Sequence, residues 1–220
     1  MSLEALPRME LHMKKLLLAT CLLSSSAFAI EPPMSAEFTA GYIPTQDVQF
    51  KTGGASLTLG NDGYFFRAAL TDNKFRAFGS MQEVSGSTCS GNTCVNHEVL
   101  ETRGGIALTV LDNGQLKLAP RLEYVTLETT ASGSSSTENG IALGADATLT
   151  VSPSVDVFGG FSYLKLKDSN GPEFMLGATF KTELVNFVLE GRHVKLDDSE
   201  NDLEITSNEI KLGVQKAFSF

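Results

Sequence analysis

From about residue 95 to the end of the chain, apolar and polar positions alternate with a period of two, segment after segment. Asn139, Ile141, Leu143, Ala145, Ala147, Leu149 and Val151 share one face of an extended segment, and Gly140, Ala142, Gly144, Asp146, Thr148 and Thr150 share the other. Leu116, Leu118, Pro120, Leu122 and Tyr124 sort against Gln115, Lys117, Ala119, Arg121 and Glu123 in the same way. So do Phe174, Leu176, Ala178 and Phe180 against Glu173, Met175, Gly177 and Thr179, and Ile210, Leu212, Val214, Phe218 and Phe220 against Glu209, Lys211, Gly213 and Gln215. Successive side chains of a strand point to opposite faces, so this pattern predicts strands with one apolar face each.

The breaks divide into two kinds. Asp112-Asn113-Gly114, Ser152-Pro153-Ser154 and Glu183-Leu184 have hairpin chemistry or hairpin length. Between them fall polar stretches read as longer loops, at Cys89 to Cys94, Ser132 to Thr137, Asp168 to Gly171 and Asp197 to Asp202. Counting back from Phe220 gives strands near 203–220, 185–197, 172–182, 154–167, 138–151, 115–131, 95–111 and 74–87, with a further hairpin of 46–60 and 63–71 around Asn61-Asp62-Gly63. The fold class expected is all-β, an antiparallel transmembrane β-barrel of ten strands. Eight strands with an amino-terminal extension is the competing count.

The domain organisation expected is a signal peptide at 1–29, a segment without assigned structure at 30–45, and the barrel at 46–220. Lys14 and Lys15 precede an apolar run from Leu16 to Leu23, and Ala27-Phe28-Ala29 has the form of a cleavage site for an exported protein. Pro7 and the acids Glu4 and Glu10 do not suit such a segment, which makes Met13 a candidate start. Leu18-Ala19-Thr20-Cys21 resembles a lipobox only loosely, since threonine is a poor residue before a lipidated cysteine. No later apolar run is long enough for a helix to span a bilayer, so a spanning mature chain has to be a closed barrel.

Composition narrows the partners. Lys+Arg number 17 against 26 Asp+Glu, a net charge of −9. Loss of residues 1–29 removes Arg8, Lys14 and Lys15 with Glu4 and Glu10, which leaves −10. An acidic chain argues against a nucleic-acid partner. Cys89 and Cys94 bracket Ser-Gly-Asn-Thr without a second Cys or His pair, so in an exported chain they predict a small disulfide and no metal site.

Four acid–base pairs stand two residues apart on the less apolar faces: Glu101 and Arg103, Arg121 and Glu123, Glu190 and Arg192, Glu209 and Lys211. They predict a charged belt inside the barrel, with Arg103 across from Glu123 if Leu111 pairs with Gln115. The small inner residues Gly105, Ala107, Ala119, Ala142, Gly144 and Gly177 leave room for those long side chains. A soluble barrel also alternates, with its apolar face turned inward, and alternation alone does not separate the two. The export signal, the alternating turn lengths and the terminal Phe218-Ser219-Phe220 favour the membrane.

At these carboxyl-terminal residues the chain resembles the broad class of small bacterial outer-membrane barrels, whose aromatic terminus is an assembly signal. Val155-Asp156-Val157-Phe158-Gly159-Gly160-Phe161-Ser162-Tyr163 and Val188-Leu189-Glu190-Gly191-Arg192-His193 are similar to YfaZ-type barrels. The class resemblance implies the cell outer membrane, insertion by the barrel-assembly machinery and contact with outer-membrane lipid. The chain is expected to be a monomer without cofactor or metal. No catalytic role is expected either, because His97 and His193 lack the Asp-x-His or His-x-Ser spacing of barrel hydrolases. Asp197, Asp198, Glu200 and Asp202 lack the glycine and spacing of a calcium loop. The function expected is structural or surface-interacting, with a largely closed, charge-lined lumen; a narrow porin for ions or small solutes is the alternative.

Overall fold

The computed structural model describes residues 34–90, 93–131, 133–198 and 202–220, the side chains of Cys89, Ser90 and Thr93 excepted. The expected signal peptide and lipobox lie outside the described residues. Ten long strands follow one another: β1 (Met34–Thr52), β2 (Ala55–Asp72), β3 (Phe75–Ser90), β4 (Thr93–Leu108), β6 (Leu116–Ala131), β7 (Ser134–Ser152), β8 (Val155–Leu166), β9 (Asn170–Phe180), β10 (Asn186–Asp198) and β11 (Leu203–Ser219). The two-residue β5 (Leu111–Asp112) bridges to β6 inside the connection after β4. Each long strand is antiparallel to the next, and β1 pairs with β11 to close the barrel. Closure leaves no open side along the body of the sheet. Met34 and Phe220 meet at one end, the base, where the Phe220 amide donates to the Met34 carbonyl at 2.9 Å. The opposite end is the rim.

The ten-strand count stands, and three details differ from expectation. The first is that the barrel begins at Met34, within the segment left unassigned at 30–45, so it starts ahead of residue 46. A one-residue bulge between Tyr42 and Gln46 accommodates Pro44, which has no N–H for a ladder, and the interrupted alternation hid this strand. The second is that Asn61-Asp62-Gly63 is not a turn but lies within β2. The β1–β2 turn is Gly53-Gly54, both in the left-handed region at φ 52° and 88°. Gly63 is needed instead for close approach, because a Cβ there would stand 1.9 Å from the Glu83 carbonyl oxygen.

The third difference is that the rim connections are not long. The ladders run to Ser90↔Thr93, Ala131↔Ser134, Lys165↔Asn170 and Asp198↔Leu203. Stretches read as loops are strand. Facing Ser and Thr, such as Thr130↔Ser135 and Thr129↔Ser136, pair across the sheet as well as apolar residues do, so their polarity does not mark a loop.

The sidedness of the sheet changes along its height. Toward the base the outward positions are apolar: Val214, Leu212 and Ile210 on β11, Phe187 and Leu189 on β10, Leu176 and Phe174 on β9, all well exposed. All four tyrosines, Tyr42, Tyr64, Tyr124 and Tyr163, face outward at the upper limit of this band. The next outward residue toward the rim is then polar, as at Asp62, Thr126 and Lys165. On β11 the outward apolar positions run from Ile210 to Phe220, about 33 Å of strand, broken only by Lys216, whose ammonium donates to the Leu184 carbonyl. Tilted as barrel strands are, that is a band of roughly 25 Å, the height of a membrane barrel's apolar belt.

Above the tyrosines the arrangement inverts. The outward face is polar, and the interior holds Val125, Leu164, Leu166, Val194 and Leu196 in one buried cluster and Ile43 and Val84 in another, which packs on Phe65 just below the tyrosines. One barrel thus combines a membrane-type lower half with an upper half sorted like a water-soluble protein.

Candidate functional site

The interior at mid-height is filled by charge. All eight belt residues expected from the sequence face inward, and seven of them, all but the slightly more open Glu101, are buried. Their placement follows from the strands: rimward of three of the four pairs the same face continues with Val99 on β4, Val125 and Leu127 on β6, and Val194 and Leu196 on β10, and rimward of Glu209 on β11 with Ser207 and then Ile205. The belt is therefore roofed mainly by apolar side chains, with buried Gln46, Asn61 and His97 among them.

At its centre is Glu173 of β9, 3% exposed. Its carboxylate meets Arg103 Nη2 at 2.6 Å, Arg192 Nη2 at 2.8 Å and Arg121 Nη2 at 3.4 Å, and accepts from Ser162 Oγ at 3.2 Å. Glu101 accepts both Nη atoms of Arg192 at 2.9 Å, a bidentate contact, and takes Arg103 Nε at 2.8 Å. Glu209 joins Arg192 at 3.1 Å and Lys211 at 2.9 Å, and Glu190 joins Arg67 at 3.0 Å and Lys211 at 3.4 Å. Arg121 stands 2.8 Å from Glu123 and 3.0 Å from Asp146. The Arg121–Glu123 contact is coulombic, since Arg121 Nε and Glu123 Oε1 lack hydrogen-bond alignment.

Two pairs are direct cross-strand neighbours, Glu190↔Lys211 and Arg192↔Glu209. Arg103 is not: it stands opposite Val125, and Glu123 opposite Gly105. The β4–β6 connection is not a tight turn at Leu111–Gln115, because β5 and its Leu111↔Leu118 pairing occupy part of it, and the register moves by two residues. A two-residue move keeps every side chain on its face. Arg103 Nη1 consequently still reaches Glu123 Oε2, diagonally, at 3.3 Å.

Sequence reasoning put Glu173 and Asp146 on inner faces without joining them to the belt, because neither has a basic residue two positions away. It did not place Arg67 or Arg76 at all. Their signal was the register of the neighbouring strand, which local spacing does not carry. A second polar chain rises from the belt: Gln46 and Gln82 donate to Glu209 at 3.0 and 3.1 Å, Asn61 donates to Gln46 at 3.1 Å, and His97 meets Asn61. His97 is thus buried within the rim half, while His193 is exposed against Asn208.

Between belt and base lies a cavity of about 410 Å³, lined by seven basic and seven acidic side chains. Near the base, Arg76 pairs with Glu37 at 2.9 Å and Lys181 with Asp156 at 2.7 Å. No group of three or more His, Cys, Asp or Glu side chains suited to a metal occurs among the described residues. The remaining sequence candidates sit apart from the lumen. Cys89 and Cys94 are register partners near the rim, with the Cys89 side chain outside the described residues. Phe218 packs edge-on against Phe38 at 6.2 Å, and Phe220 is exposed at the base.

No family model matches the chain, and no curated protein matches it. Among solved structures it is similar to the attachment invasion locus protein Ail of Yersinia pestis, at 12% identity and a TM-score of 0.44, over 84% of this chain and 99% of that one. It is also similar to an outer-membrane channel from Pseudomonas putida F1, at 10% identity and a TM-score of 0.49, over 89% and 98%. Neisserial surface protein A matches at 14% identity and a TM-score of 0.36, over 83% and 95%.

Proposed function

We propose that the chain is an outer-membrane β-barrel with a closed lumen, serving a structural or surface-interaction role. The observation that carries this reading is the inversion of sidedness: an apolar outer band topped by tyrosines, with a buried charge network inside it and a mainly apolar layer above. Mutually neutralising side chains that fill the lumen at the belt disfavour an aqueous path, and the mainly apolar layer above is a second barrier in series. The base faces the periplasm, the rim the exterior, and Phe220 acts as the assembly signal through which the barrel-assembly machinery takes the chain.

The barrel is expected to act as a monomer without cofactor and without catalysis. Its test is planar-bilayer recording on the refolded protein. Wild-type protein should insert, shift in migration on heating, and show little conductance; steady, large channels would replace this reading with the porin. Deleting Phe220 should slow membrane assembly in cells, and an unchanged rate would remove the assembly role.

A further inference from the structure

The strands do not all reach the same height at the rim. β7 pairs with β6 up to Ala131↔Ser134, but its ladder with β8 ends at Gly140↔Leu166, where β8 turns over into β9. Residues 134–139 of β7 therefore have no strand on that side among the described residues. This is a six-residue edge, about 20 Å of extended backbone with N–H and C=O groups directed sideways.

Natural edges are guarded by proline, a bulge or an exposed charge. This one, Ser134-Ser135-Ser136-Thr137-Glu138-Asn139, has no proline and keeps its register with β6 throughout. Its one charge, Glu138, is half-buried and accepts from Ser169 Oγ at 3.1 Å. The outward side chains Ser135, Thr137 and Asn139 are small and polar. At the foot of the edge stand Lys165, exposed, and Lys167, 74% exposed and only 3.5 Å from Asp168.

We propose that this edge is a docking site for an extended peptide segment of another protein, which adds to the sheet as a strand beside β7. Only an extended backbone offers donors and acceptors at the spacing of the free edge, and alternate small side chains set few steric demands. The lysines at the foot favour an acidic residue at that end of the incoming segment. The inference rests on the reading that the rim stands in water and is independent of whether the lumen conducts.

The test uses the full chain folded in detergent micelles and in lipid nanodiscs. The probe is a fluorescein-labelled octapeptide of alternating threonine and valine with a glutamate at each end, compared with the same peptide N-methylated at alternate residues. Saturable anisotropy is expected for the first, at least tenfold weaker binding for the second, and slowed amide exchange at 134–139 only when the first is present. Of Ser136→Pro and Thr137→Pro, the variant whose lost N–H faced the gap should abolish binding. The pair Lys165→Ala, Lys167→Ala should weaken it several-fold and flatten its salt dependence.

No saturable binding, or equal binding of the N-methylated peptide to wild-type protein, overturns the proposal even if the proline variants fail to fold. Protection of 134–139 that rises with protein concentration alone, with crosslinking through Thr137→Cys, makes a second copy the occupant and overturns it too. Slow exchange at 134–139 in nanodiscs without any peptide would instead place the rim in lipid, a failure of the underlying reading.

Discussion

Glu173 shows what a single buried carboxylate does in this barrel. Three arginines from β4, β6 and β10 converge on it, so its removal leaves three buried cations short of a partner. Replacing Glu173 by Leu should therefore cost about 3–5 kcal/mol of unfolding free energy, as measured by reversible denaturation in detergent. A cost below about 1 kcal/mol would mean water reaches the belt. Glu123→Ala should be milder, because Arg103 retains Glu101 and Glu173. At the base, Asp112 behaves differently. The Gly114 amide donates to its carboxylate at 2.9 Å and Lys117 stands 3.2 Å away, and these hold its carboxyl below the usual aspartate range. A lowered folded pKa stabilises above the ordinary value near ~3.9 and is lost as pH falls through the folded one. Asp112→Ala should thus lower the unfolding temperature at pH 7 and converge with wild type in strong acid; a difference that persists unchanged there would exclude the carboxylate as the cause.

At the scale of the strand, alternation located eight of the ten long strands to within a few residues, from 74–87 onward, because the base half of most of them carries a largely apolar outward face. It misplaced β1 and β2 for a local reason. Pro44 with its bulge breaks the period in β1, and the Asn-Asp-Gly of β2 imitates a turn while its side chains serve elsewhere: Asn61 donates to Gln46, and Asp62 accepts from Tyr42 Oη at 2.9 Å. The belt was legible wherever acid and base stood two apart on one strand. It was illegible at Glu173, whose partners come from three other strands. The β3–β4 hairpin offers a clean check on an element. If Cys89 and Cys94 are linked, as their facing positions favour, mass mapping should find one bridged peptide, and the Cys89→Ser, Cys94→Ser double variant should lose ~2 kcal/mol or less, since the loop closed is short.

For the whole molecule, the inverted upper half bears on how the barrel gets into a membrane at all. In the proposed orientation each rim hairpin starts in the periplasm and has to be threaded through hydrocarbon before its ladder closes. The β6–β7 hairpin looks fitted for the passage: from Thr126 to Asn139 it bears two charges, Glu128 and Glu138, amid hydroxyl-bearing side chains. Hydroxyls are far cheaper to dehydrate than ammonium groups, and carboxylates can cross as neutral acids. Ser135→Lys with Thr137→Lys should leave the finished barrel as stable as wild type, because both residues end in water, yet slow its appearance in vesicles several-fold. Equal assembly rates would mean the hairpin never meets the hydrocarbon. In the proposed orientation, slower assembly of that variant would make the rim hairpin's polarity a requirement of transit as much as of its destination.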